Sequence, residues 1–178
     1  MDDFLRRLGH LALGSRLKRL GEQLQTETQH VVDALDAGLP SGQHPFLAAL
    51  DMLGPLTVGE LAQALGASQP GVTRTVARLA EAGLVEAKPG PADQRQKVVS
   101  LAPAGRALVE AAKGELWPQI DAAVTELCAG LDGGLLAQLA AIEDRLAAEP
   151  LPRRVARQRG LGTSPAAGGR RADERASS

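Results

Sequence analysis

Apolar residues recur in steps of three and four over residues 3–37, at Phe4, Leu5, Leu8, Leu11, Leu13, Leu17, Leu20, Leu24, Val31, Val32 and Leu35. That spacing predicts one long amphipathic helix. Gly38-Leu39-Pro40-Ser41-Gly42 is a turn cluster that ends it. A second helix is expected over 43–53, carrying Phe46, Leu47, Leu50 and Leu53, and stopping at Gly54-Pro55. Two shorter periodic segments follow. Thr57, with Glu60 three residues on, has the spacing of a capping box and opens a helix that buries Leu61, Ala62 and Leu65 before Gly66. Ser68 is placed to cap the next helix, with Pro70 in its first turn, where a missing N–H costs nothing. Val72, Val76 and Leu79 form its inward stripe, and Gly83 suits the left-handed position just beyond its end. Two short helices around a glycine turn make a helix-turn-helix.

The pattern then changes period. Residues 84–88 and 97–101 read as strands, and the Pro/Gly-containing stretch 89–96 between them reads as a loop, so the pair forms a β-hairpin, or wing. Pro103 starts another long helix to about 128, with a kink expected at Pro118. Asp132-Gly133-Gly134 interrupts, and a last helix over about 134–148 buries Leu135, Leu136, Leu139, Ile142 and Leu146. The fold class is therefore mainly α with a small β-hairpin wing, a winged helix-turn-helix over 56–101 carried on a helical scaffold. Residues 151–178 hold Pro152, Pro165, Gly168-Gly169 and seven arginines, and are expected to be largely disordered outside Leu151–Arg159.

Composition supports a helical core. Hydrophobic residues make up 44% of the 178 positions but aromatics only 2%, so Leu, Ala and Val must fill the interior. The shortage of aromatics also argues against single-strand nucleic-acid binding, which relies on stacking platforms. The net charge of −1 hides an uneven distribution. Residues 56–101 carry five basic and four acidic groups and residues 151–178 seven and two, whereas 1–55 carry five and seven and 102–150 three and eight. Local charge sets the field at a docking surface, so the near-neutral whole does not exclude DNA as a partner. Cys128 stands alone and cannot form an intramolecular disulfide. No stretch approaches the ~20 apolar residues of a membrane span, and a cytoplasmic, membrane-free protein is expected.

The chemistry concentrates on the outward face of residues 68–78. A helix-turn-helix sets one helix into the DNA major groove. Ser68 and Gln69 offer polar groups at the start of that helix, beside backbone N–H groups in the turn holding Pro70 that can receive a phosphate, and Gly71, Arg74 and Arg78 lie on a face apart from Val72, Val76 and Leu79. Thr73 and Thr75 flank them. Arg74 is the candidate for a bidentate base contact and Arg78 for a phosphate. The wing adds Lys88, Arg95 and Lys97, with Arg95 placed for a narrow minor groove and Asp93 for holding the hairpin. The competing reading is a solvated polar face on a winged-helix protein–protein module without DNA binding.

Thr57–Leu101, with Asp93 and Arg95 in its wing, resembles the MarR family of bacterial regulators, and the flanking order of helices is similar over about residues 4–150. The resemblance implies a homodimer built from residues 1–55 and 102–150, a pseudo-palindromic double-stranded operator, repression, and release by a small effector held between the dimerisation and DNA-binding regions. Phe4–Leu20 further resembles members fused to an acetyltransferase domain, but nothing after the helices would supply one, and no nucleophile–base cluster or phosphate-cradling glycine loop marks an enzyme. Two positions depart from the family pattern. Val98 stands where a second basic residue is common in the wing, and Ala102 stands where a capping Thr is common. No cofactor is expected, because His10, His30 and His44 are far apart and one Cys does not complete a metal site. These histidines read as ordinary polar groups, Cys128 as buried packing, and Trp117 as core or dimer interface.

Overall fold

The computed structural model describes residues 3–35, 38–90 and 97–160, and the chain divides into two compact units, residues 1–127 and 128–178. In the first unit the expected single helix over 3–37 is broken. Phe4–Arg7 forms α1, Gly9–Ala12 a 3₁₀ turn and Leu13–Ala34 the long α2. Gly9 causes the break, since its φ of 56° is left-handed and no α-helix passes through it. The displaced α1 is held by Asp3, whose carboxylate accepts from the Leu5 N–H and pairs with Arg19 on α2.

Around the middle of the chain, local sequence signals become local structure. His44–Leu53 is α3, Val58–Ala64 is α4 and Gln69–Glu81 is α5. Both halves of the capping box form at α4: the Glu60 N–H donates to Thr57 Oγ1 at 3.2 Å, and the Thr57 N–H donates to Glu60 Oε2 at 2.7 Å. At the far end of α5, Gly83 with φ 70° lets its own N–H reach the Ala80 carbonyl and the Leu84 N–H reach that of Leu79. This Schellman closure turns the chain straight into the sheet.

The sheet has three strands, one more than the hairpin requires. Leu56–Thr57 is β1, Val85–Pro89 is β2 and Lys97–Leu101 is β3, in the antiparallel order β1-β3-β2. Leu56 faces Val99 across β1–β3, and Val85 faces Leu101 while Pro89 faces Lys97 across β2–β3. β3 is thus the central strand, and Val99 on its inner face is fully buried while Val98 on the other face is half-buried. Leu47, Leu61, Val72, Leu79, Val99 and Val109 are the largest fully buried side chains, each contributed by a different turn or element of the same cluster. Each such side chain is stabilised by roughly 1.5–3 kcal/mol on leaving water.

Pro103–Ala111 is α6, and it sits unusually close to the sheet. Gly105 is buried, and a Cβ there would lie 2.0 Å from the Leu84 carbonyl oxygen. The Ala102 N–H donates to that same oxygen at 3.0 Å. Ala102 offers no side-chain cap to α6, but it is buried, so the residue is spent on packing and on this backbone bond. Beyond α6 the helix widens into a π turn over Ala112–Leu116, followed by α7, Trp117–Leu127, which carries Pro118 in its first turn. A π turn placed just before the proline absorbs the ring that would otherwise clash with the preceding turn. Val32 of α2 packs with Ala112 and Leu116 in a second small cluster, joined by Trp117 and Ile120.

The second unit contains α8, Leu135–Ala148, and α9, Leu151–Gln158. Neither has a buried residue. Leu136, Ile142 and Leu146 of α8 are exposed, and Cys128 is half-buried rather than enclosed. Among the described residues no helix is long and apolar enough to cross a membrane.

Candidate nucleic-acid interface

α5 is anchored by one face and presents the other. Val72 and Leu79 are 0% exposed, whereas Arg74 and Arg78 stand in solvent and make no ion pair with a described residue. An unpaired, exposed guanidinium keeps all its donors available for an external acceptor. The polar groups around them are more committed. Ser68 Oγ accepts from the Gly71 N–H at 3.3 Å, so Ser68 is the N-cap of the helix before it is anything else. A Cβ at Gly71 would approach that oxygen to 3.1 Å, so Gly71 keeps room for the cap. Pro70 occupies the first turn as expected. The hydroxyls of Thr73 and Thr75 donate back to the Gln69 and Gly71 carbonyls, at 2.9 and 3.2 Å, and retain only their acceptor capacity.

Beside α5 lies an open groove of about 870 Å³. Thr57, Val58, Gly59, Glu60 and Gln63 line it from the α4 side, Gln69 and Thr73 from α5, and Lys97 from β3. Three of the residues singled out by sequence, Gln69, Thr73 and Lys97, therefore meet in one place. Gln63 was missed. Its signal was available, because it is exposed three residues after Glu60 on the solvent side of α4. The Glu60 carboxyl is held below its ordinary value by the Thr57 backbone N–H and hydroxyl, both of which donate to Oε2.

The wing is less basic than a count of its residues suggests. Lys88 Nζ lies 2.5 Å from the Glu86 carboxylate, two residues back on the same face of β2. That contact lowers the Glu86 carboxyl below its ordinary value, and Lys88 is paired while Glu86 holds it. Lys97 is exposed opposite Pro89, at the end of the described hairpin. Asp93 and Arg95 lie outside the described residues.

A second concavity in the first unit encloses about 320 Å³ between Leu35, Gly38, His44, Leu108, Ala111, Ala112, Glu115 and Leu116. His44 is buried rather than an ordinary surface histidine. Its Nδ1 accepts from the Trp117 indole N–H at 3.3 Å, the rings meet edge-on with centroids 6.4 Å apart, and Nε2 is buried without a hydrogen-bond partner. Burial pushes the imidazole below its usual pKa, opposed in part by the Leu39 carbonyl. Trp117 is half-buried and packs against both apolar clusters of the first unit. Among the described residues no cluster of three or more His, Cys, Asp or Glu side chains could hold a metal ion.

A capped, outward-facing helix, the helix before it and an antiparallel hairpin after it together define a winged helix-turn-helix. Residues 37–96 match the family model described as the MarR family. The chain is 41% identical over 70 residues to an HTH-type transcriptional regulator of Mycobacterium leprae, covering 38% of this chain and 49% of that protein. It is 42% identical over 64 residues to another from Bacillus subtilis, covering 36% and 46%. The aligned part thus spans about half the length of these curated relatives. Among solved structures, a mutant of E. coli MarR complexed with operator DNA superposes with a TM-score of 0.64 at 22% identity, over 82% of this chain and 99% of that one. Bordetella bronchiseptica BpsR, whose DNA binding is regulated by 6-hydroxynicotinic acid, superposes with a TM-score of 0.62 at 25% identity, over 76% and 92%.

Proposed function

We propose that this protein is a sequence-specific, double-stranded DNA-binding transcriptional regulator that acts in the cytoplasm as a homodimer on a pseudo-palindromic operator. The observation that carries the reading is the state of Arg74 and Arg78. Both project from a helix fixed by its cap and buried stripe, and neither is neutralised by a described partner. Arg74 reads a base edge and Arg78 a phosphate. Gln69, Thr73 and Lys97 add contacts from the adjoining groove, with Ser68, Pro70, Gly71 and Thr75 shaping the start of the helix. Lys88 contributes once an anion competes with Glu86, while Arg95, steadied by Asp93, completes the wing.

The dimer follows from unsatisfied apolar surface. α8 exposes Leu136, Ile142 and Leu146, and within the first unit α2 and α7 leave a groove of about 460 Å³ lined by Leu20, Leu24, Val31, Ile120, Val124 and Leu127. Apolar surface of this extent on helices is a mark of an interface. Repression is relieved by a small effector in the 320 Å³ concavity beside His44, a volume within the ~300–1,000 Å³ of small-molecule sites. A gel-shift titration over a salt series tests the DNA-binding core of this reading. Binding to a selected duplex that weakens steeply with salt supports it, and the absence of any salt-dependent duplex binding refutes it.

A further inference from the structure

α9 is short, but its residues divide by face. At ~100° per residue, Leu151, Pro152, Val155 and Ala156 fall on one side, and Arg153, Arg154 and Arg157 fall on the other. The arginine side is oriented by one acid at the end of α8. Arg157 donates to both Glu149 carboxylate oxygens at 3.1 and 3.0 Å, and Arg154 Nε donates to the Glu149 carbonyl at 2.7 Å. Arg153 and Arg159 make no ion pair with a described residue. The Glu149–Arg157 pair is open to solvent, so an external anion of higher charge can displace it.

The charge is also concentrated. Residues 151–178 contain seven arginines, no lysine and two acids, while residues 1–150 carry thirteen basic and nineteen acidic side chains. A basic helix fits an anionic surface, and two features identify which one. The guanidinium fork matches phosphate oxygens two at a time. The apolar side holds only Leu151 and Val155 as large residues, too little to bury in a bilayer surface. In the same chain the helix-turn-helix region is close to neutral, with five basic and four acidic residues.

We propose that α9 is a second DNA contact, an arginine face that engages duplex phosphates outside the base pairs read by α5. It rests on the DNA-binding reading above. Because α9 is tethered to the reading head, it works at high effective concentration, adding affinity that carries no sequence information.

The test is a set of salt titrations with the full chain on an operator duplex carrying about one extra helical turn of flank on each side. Three proteins are compared: the unaltered chain, the triple variant Arg153→Ala, Arg154→Ala, Arg157→Ala, which removes the arginine face of α9, and the single variant Glu149→Gln. The triple variant is expected to bind at least tenfold more weakly at low salt. Its slope of log affinity against log salt should be shallower by ~0.9 for each phosphate that the protein no longer neutralises, with operator and scrambled duplexes weakened alike. Glu149→Gln releases Arg157 and should tighten binding and steepen the slope, a gain that misfolding cannot mimic. Equal slopes and affinities for all three proteins on the flanked duplex would overturn the proposal while leaving α5 as reader intact. Failure of the unaltered chain to bind any duplex would overturn both readings. Capture of the unaltered chain by phosphatidylserine vesicles, with no change of duplex binding in the triple variant, would reassign α9 to a membrane surface.

Discussion

Replacing Gly105 by alanine probes the tightest contact in the fold. The new Cβ would stand 2.0 Å from the Leu84 carbonyl oxygen, 3.0 Å from its carbonyl carbon and 3.4 Å from Leu101 Cδ2. Ordinary contact requires α6 to retreat by ~1 Å or more, and the obstacle is backbone that cannot rotate aside. Overpacking of this kind costs ~1–3 kcal/mol. The retreat also strains the Ala102 N–H bond to the same oxygen, whose net worth is ~0.5–1.5 kcal/mol. Together the expected loss is about 2–4 kcal/mol. Urea unfolding followed by far-UV circular dichroism, at one fixed protein concentration, reads it as a lower midpoint at unchanged slope. Gly114→Ala is the control: nothing lies within 4 Å of the Cβ it would gain, so it should be neutral or stabilising by up to ~1 kcal/mol. A loss below ~0.5 kcal/mol for Gly105→Ala would refute the close approach of α6 to the Leu84 carbonyl just ahead of β2.

Further outcomes follow from the same geometry. Ser68→Ala removes the α5 cap and should cost ~1 kcal/mol in the same unfolding assay, with a parallel loss of DNA affinity. Arg74→Ala should erode the preference for one base by ~1–3 kcal/mol, measured as the affinity ratio between operator and single-substitution duplexes; Arg78→Ala should weaken all duplexes equally and flatten the salt slope. His44 is held neutral by burial, below the ordinary imidazole pKa of 6.5. The unfolded chain takes up that proton first as pH falls. The His44 contribution is therefore fully present above about 6.5 and is lost as pH drops through the lower folded-state value. Unfolding at a series of pH values, followed by the fluorescence of Trp117, should show this loss in the unaltered chain and not in His44→Gln; identical pH profiles would exclude the contact as its source. Ile142→Asp, on the exposed stripe of α8, should shift the protein from dimer to monomer in sedimentation experiments.

How much of this was visible in the sequence depends on how far apart the partners lie. Thr57 with Glu60, Ser68 with Pro70, and Gly83 were readable, because a cap or a left-handed terminus is decided within four residues. β1 was not, since Leu56–Thr57 is a strand only by pairing with Val98 and Val99. The break at Gly9 was underestimated: a glycine inside a periodic run signals only a weaker helix, and its left-handed φ appears once Asp3 and Arg19 draw α1 back. The π turn ahead of Pro118 was not legible, since nothing local marks Ala112–Leu116, and the Val32 side chain on which Ala112 and Leu116 pack lies far away in the sequence. His44 and Trp117 are 73 residues apart, and neither carries a local mark of the other. Within the candidate site, residue types were legible but their commitments were not. Ser68 serves as a cap, Thr73 and Thr75 spend their donors on the helix backbone, and Lys88 faces Glu86. That leaves Arg74, Arg78 and Lys97 as the free cationic groups among the described residues of the winged helix.

Selection of duplexes from a random pool by the purified full chain tests the central claim most directly. The account predicts enrichment of a pseudo-palindrome whose half-sites lie about one helical turn, ~10 base pairs, apart, with Arg74→Ala relaxing a defined position in each half. A pool that emerges without a shared motif, or one whose motif is unchanged by Arg74→Ala, would contradict the assignment of α5 as the reading helix.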